Sequence, residues 1–155
     1  MHVREATLHD LEALIEGNAA MAVETEHLHL DPSTLRAGVA ALLEGRAPGT
    51  YRVCEIEGRV VGQILVTYEW SDWRNRTVWW IQSVYVQPEF RGRGVYRSLY
   101  AAVVEAARAA GAAGLRLYVD ARNARAQAVY TALGMNGDHY RVFESMFDAP
   151  DRGAP

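Results

Sequence analysis

The sequence predicts an α/β domain: a mixed β-sheet with helices on both faces. Three observations lead there. Strand-like and helix-like segments follow one another in the order β-α-α-β-β-β-α-β-α-β, which builds such a layered fold. Residues 78–119 form a strand–helix–strand unit, whose connection should be a right-handed crossover with its two strands parallel. "TVWWIQSVYV" (77–86) is nearly all apolar, as expected of a strand buried on both faces.

Each element has its own signal. "HVREAT" (2–7) reads as a short first strand. Thr7 can cap a helix over residues 8–24, with Leu11, Leu14 and Ile15 on one face. "TEHLHL" (25–30) interrupts it, and Asp31 as cap with Pro32 at the first position restarts helix toward a stop near Gly45. Residues 50–70 read as two strands joined by the tight turn "EGR", and "SDWRNR" (71–76) as a polar turn before the apolar strand. The next helix carries Val95, Leu99, Val103 and Ala106/Ala107 on one side. "GLRLYVD" (114–120) is another strand, "ARAQAVYTAL" (124–133) another helix and "HYRVFESMF" (139–147) a last strand. These elements predict a single domain over residues 1–147, followed by a loose tail over 148–155 that has no periodicity.

Composition narrows the function classes. The 155 residues, half of them apolar or aromatic and 23% charged, suit one globular domain with a real core. A net charge of −3 gives no reason to expect nucleic acid or an anionic membrane as the partner. Cys54 is the single cysteine and has no intrachain partner, so a reducing, cytoplasmic setting is expected. "MHVREATLHD" lacks the apolar run of a signal peptide, and no stretch approaches the roughly 18 apolar residues of a membrane span.

The chemistry concentrates in "QPEFRGRGVYRSLY" (87–100), where a strand runs through a proline into two glycines flanked by arginines and then into a helix. A helix N-terminus presents unpaired backbone N–H groups and about half a positive charge. Gly92 and Gly94 keep side chains out of the way, and Arg91, Arg93 and Arg97 add charge, so the segment reads as a cradle for a pyrophosphate. The loop alone also admits a plainer reading, glycines that relieve backbone strain beside solvated arginines. It is not a Walker A loop, because no Lys-Ser or Lys-Thr follows the glycines. A dinucleotide fingerprint would want glycine at Arg97.

"VYVQPEFRGRGVYRSLY" (84–100) resembles the acetyl-CoA-binding segment of the GCN5-related N-acetyltransferases, the GNAT superfamily, with Arg91 and Gly94 at the first two fixed positions of Arg/Gln-x-x-Gly-x-Gly/Ala. "NARAQAVYTALGM" (123–135) is similar to a second run of that family, with Asn123, Ala126, Tyr130, Leu133 and Gly134 in place. The element order matches over nearly the whole chain. One departure is Tyr96, where the family has Gly or Ala; its ring must turn away from the phosphates toward Tyr100, four residues on.

The resemblance implies a GNAT acyl-CoA N-acyltransferase fold with a central, splayed sheet. It implies acetyl-CoA as co-substrate, no metal, and acetyl transfer to the primary amine of a small molecule by direct attack in a ternary complex. Arg91, Gly92, Arg93, Gly94, Val95, Tyr96 and Asn123 would bind the cofactor, and Val84, Tyr85 and Val86 would offer backbone groups to its pantetheine arm like an added strand. Tyr130 would protonate the leaving sulfur; without the motif it would read as an aromatic on the buried face of its helix. Many members carry a Glu on the strand before the glycine loop, but 77–86 holds no carboxylate. Glu24 and Glu69 are the candidates for the base.

All four tryptophans lie between Tyr68 and Trp80. Cross-strand packing in a hairpin accounts for any one ring, and an aromatic acceptor pocket accounts for several together. Glu24, Tyr68, Trp70, Trp80 and Gln82 are the expected acceptor contacts. His27 and His29 have no clear third ligand and give no metal site. A non-catalytic acyl-CoA sensor, transfer of another acyl group and a protein amine as acceptor remain as alternatives. A homodimer is expected by analogy with the family alone.

Overall fold

The computed structural model describes residues 1–147; the tail expected at 148–155 lies outside the described residues. Contacts divide the chain into two compact units, Met1–Leu117 and Tyr118–Pro155.

The first unit carries a five-stranded sheet in the order β1-β2-β3-β4-β5. Its strands are β1 (His2–Glu5), β2 (Thr50–Ile56), β3 (Arg59–Ser71), β4 (Arg76–Val86) and β5 (Gly114–Leu117). The first four pair antiparallel, and β4 pairs parallel with β5, as the crossover through α3 (Val95–Ala109) requires. Glu57 and Gly58, with φ of 51° and 76°, make the two-residue turn between β2 and β3. Both central residues have positive φ, which matches the right-handed twist of the flanking strands.

Alternation along β2 separates two cores. Cys54 faces Val61, Ile64, Val66, Ile81 and the apolar stripe Val95, Leu99 and Val103 of α3. Tyr51 and Val53 face the other way, against Leu14 of α1 (Leu11–Glu26) and Val39 of α2 (Pro32–Leu43). The helices therefore cover both faces.

Local chemistry sets the helix ends. The Asp31 carboxylate accepts the Thr34 N–H at 2.8 Å and Pro32 opens α2, as expected. Thr7 stands at the N-cap of a short 3-10 turn and not of α1 itself. A 3-10 turn, Leu8–Asp10, precedes α1, and the buried Asp10 carboxylate reaches back to the Thr7 N–H at 2.8 Å. Both Asp10 oxygens also accept from Arg4 at 2.8 Å, and that guanidinium holds the Asp10 carboxyl below its ordinary range.

Two expectations fail. Within β4 only Val78 and Ile81 are buried, one on each face; Trp80, Gln82, Ser83 and Tyr85 on the α1 side and Trp79, Val84 and Val86 on the α3 side are half-buried. In the second unit, α4 (Ala124–Ala132) forms, but residues 139–147 are not a strand. A strand exists only by pairing, and this segment pairs with no strand among the described residues; Tyr140, Phe143 and Phe147 are exposed.

Candidate active site

The glycine loop and the start of α3 form one end of the site. Gly92 and Gly94 have φ of 75° and 83°, the left-handed region that glycine alone enters without strain, and a Cβ on either would meet nothing within 4 Å. The conformation requires the glycines, and the space above them is open. The first intrahelical bond of α3 runs from the Ser98 N–H to the Gly94 carbonyl at 3.0 Å, so the N–H groups of Val95, Tyr96 and Arg97 precede any helical acceptor. A glycine outside the motif holds this end in place. A Cβ at Gly62 on β3 would stand 2.7 Å from the Val95 side chain, so Gly62 lets α3 seat on the sheet. Tyr96 lies back along the helix with its ring centroid 6.1 Å from that of Tyr100, leaving the loop clear.

The edge of β4 leads away from this loop. Gln87 donates its N–H to the Val61 carbonyl at 3.0 Å. Backbone groups alternate in an antiparallel pair, so those of Tyr85 also face β3, while those of Val84 and Val86 face away. The Val86 carbonyl accordingly accepts Arg91 Nε at 2.9 Å. Pairing of β4 with β5 covers Val78–Ile81 against Gly114–Leu117, and the ladder ends where β5 ends. At the same point the β3 register skips: Leu65 pairs with Ser83 and Val66 with Ile81. Gln82 is thus a bulge residue, and bulges bend a strand and re-aim its side chains. No signal in the sequence marked it.

On the α1 side of β4 lie two clusters. At the loop end, Glu24 in the last turn of α1 accepts Arg91 Nη2 at 2.6 Å and the Tyr85 hydroxyl at 3.2 Å. The Arg91 guanidinium also lies 5.6 Å from the Tyr85 ring centroid. Burial, and next the Glu24 carboxylate, push the Tyr85 phenol up. Arg91 is therefore folded back onto β4 and α1. Arg93 packs its guanidinium 5.4 Å from the Phe90 ring centroid, which Arg59 approaches to 5.6 Å.

The second cluster spans three strands. Glu69 on β3 accepts Trp80 Nε1 from β4 and Arg116 Nη1 from β5, the latter at 2.8 Å. The Trp80 bond, and then Arg116, hold the Glu69 carboxyl below its ordinary range, which makes it a weak proton acceptor. Gln82 donates to the Thr67 hydroxyl at 2.7 Å beside it. Arg116 was missed by sequence reasoning; its polar side chain between the apolar Leu115 and Leu117 was the signal that it faces away from the α3 core.

The expected acceptor contacts do not all share a face. Glu24, Trp80 and Gln82 lie on the α1 side. Tyr68 pairs with Trp79, their ring centroids 5.1 Å apart, and Trp70 with Thr77, so Tyr68 and Trp70 point to the α3 side. Alternation decided this, because neighbours in a strand point to opposite faces.

In the second unit, Asn123 Oδ1 accepts the Ala126 N–H at 3.0 Å and caps α4. Tyr130 is half-buried on that helix, and burial pushes its phenol up, so it stays protonated at neutral pH. Among the described residues no three His, Cys, Asp or Glu side chains converge on a metal site, and no helix is long and apolar enough to cross a membrane.

Comparison with known proteins places this arrangement. The solved structure of a possible acetyltransferase from Clostridium difficile 630 superposes with a TM-score of 0.87 at 39% identity, covering 96% of this chain and 98% of that one. Among curated sequences, a thialysine N-epsilon-acetyltransferase of Bos taurus is 39% identical over 75 residues. An uncharacterized N-acetyltransferase of Methanocaldococcus jannaschii is 35% identical over 83 residues. These two alignments span 44% and 37% of the relatives' own lengths, so they speak for a segment and not for the whole of either protein. The sequence model described as the acetyltransferase (GNAT) family matches residues 15–135, from α1 to the end of the second motif, and the chain belongs to that family.

Proposed function

We propose that the protein is an acetyl-CoA-dependent N-acetyltransferase that acetylates the primary amine of a small molecule by direct attack in a ternary complex. The observation that carries this reading is the continuity of the open helix end and the unpaired edge of β4. The N–H groups of Val95, Tyr96 and Arg97 would take a pyrophosphate, and the outward backbone groups of Val84 with the Val86 N–H would take the amide-bearing arm leading from it, the Val86 carbonyl being held by Arg91. An anion at the loop and an extended amide chain along a strand edge are the two ends of coenzyme A.

The amine nitrogen attacks the thioester carbonyl, the C–S bond breaks, and the sulfur leaves with a proton. A β4 backbone N–H near Val84 would stabilise charge on the carbonyl oxygen. Tyr130, as a protonated phenol, would donate to the sulfur. The ammonium must first lose its own proton, which costs about 4–5 kcal/mol at pH 7 for an alkylamine. With Glu69 bound to Arg116 and Trp80, Glu24 is the carboxylate left to assist. The thialysine enzyme among the relatives supports a small amine as acceptor.

A second reading is a non-catalytic acyl-CoA sensor, favoured by the engagement of both candidate bases in ion pairs. One experiment separates the two. CoA is titrated calorimetrically, and then free thiol is followed with acetyl-CoA and an amine panel. Binding with amine-dependent thiol release supports the enzyme; binding with no release above background supports the sensor; no binding removes both.

A further inference from the structure

Glu24 stands where a carboxylate is least at ease. α1 ends in a left-handed cap at His27 (φ 56°), with the His27 and Leu28 N–H groups returning to Val23 and Ala22 at 3.2 Å each. Glu24 lies in the last turn, at the negative end of the helix dipole. Its carboxylate is offset by one guanidinium, that of Arg91, 67 residues further along the chain, and by the Tyr85 hydroxyl. Arg91 is also the first fixed residue of the glycine loop. One side chain thus joins the place expected to receive phosphate to the helix end beside the α1–α2 connection.

We propose that Glu24 is a positioning residue that works as a latch released by the cofactor: it holds Arg91 in the free protein, yields it to an arriving pyrophosphate, and then receives the cationic head of the acceptor amine. The proposal rests on the reading of the glycine loop as the pyrophosphate site. The exchange is physically easy. The Arg91 and Glu24 side chains are 36% and 39% exposed, and ion pairs as exposed as this are weak. A pyrophosphate brings more charge than a carboxylate and gains the open α3 amides in addition. Arg91 need not unfold to reach it, because its Nε bond to the Val86 carbonyl already anchors the stem beside the loop. Once Arg91 turns, Glu24 keeps the neutral Tyr85 hydroxyl and an unfavourable helix end, so a cation is its best remaining partner. The amine then binds more tightly to the loaded protein, and by reciprocity its binding favours the cofactor.

The test is a cycle of CoA titrations on wild type, E24Q, R91Q and the double variant. E24Q should tighten CoA about three- to tenfold when Arg91 is present, because nothing competes for it, and should have no effect in the R91Q background. At saturating acetyl-CoA, E24Q should raise KM at least about tenfold for the amine with the highest turnover in the panel, in addition to whatever fall in kcat the loss of an assisting carboxylate brings. E24D should recover part of that KM. A merely structural Glu24 would lower the melting temperature and weaken CoA in both backgrounds, and that result overturns the latch. CoA binding that E24Q leaves unmoved overturns the latch alone. Failure of the wild type to bind CoA removes the latch together with the proposed function.

Discussion

The two carboxylate clusters on the α1 side of β4 are chemically alike and mechanically unlike. Glu24 and Glu69 each accept from one arginine and one aromatic hydrogen-bond donor. Glu69 and its two partners stand on three adjacent strands of one sheet, so ladder pairing holds the backbones that carry them at a fixed spacing. Glu24 sits at a frayable helix end, and its arginine comes from a glycine loop. The same pair of contacts is a strut in one place and a latch in the other. What a salt bridge does depends on the freedom of the elements that carry it, not on the identity of its residues.

The largest expected effect comes from Gly94, since the latch has meaning only if the loop takes an anion. Gly94→Val forces a branched residue to φ of 83° and puts its side chain into the open space above the loop; CoA affinity should fall by about 100-fold or more, roughly 3 kcal/mol. Unchanged affinity in the calorimeter would show that both clusters are struts. Tyr130→Phe comes next. Turnover should drop about 10- to 100-fold with CoA affinity within about twofold, and equal turnover across the pH range would remove Tyr130 as the acid.

Glu69→Gln tests the strut. The pair is more than one-third exposed on both sides, so the loss should be about 0.5–1 kcal/mol, read as a small fall in melting temperature. The sign of its pH dependence follows from the depressed carboxyl. The unfolded chain binds the proton more readily, so the stabilisation is complete above the unfolded carboxylate pKa and is lost as pH falls through the folded value. Glu69→Gln should therefore flatten the acid limb of a stability profile and leave the pH profile of turnover in place. A shifted turnover profile would return Glu69 to candidacy as the base. The smallest effect is expected at Trp70, which faces away from Glu24 and Trp80: Trp70→Ala should move the acceptor KM by less than about twofold, and a tenfold rise would put the acceptor on the α3 side.

Much of this was legible in the chain. The helix cap at Asp31, the Glu57–Gly58 turn and the α3 stripe are encoded within a few residues of where they act, and each formed as read; the Asn123 cap of α4 was not read. The errors fell on features that need a distant partner. Residues 139–147 have strand character, but strand character does not supply an edge to pair with. The aromatic run from Tyr68 to Trp80 looked like one pocket, yet alternation sends Tyr68 and Trp70 one way and Trp80 the other. The bond of Arg116, from the far side of β4, to the base candidate Glu69 likewise has no signal in the local sequence.

By itself, then, the sequence determined the family, the element order and the loop that opens α3, because periodicity, capping and glycine placement are short-range properties of the backbone. Tertiary structure alone decided the Gln82 bulge, the faces on which the aromatics lie and the grip of Glu24 on Arg91. Those depend on strand register and helix docking, which join residues dozens of positions apart and leave no mark in the local order of the chain.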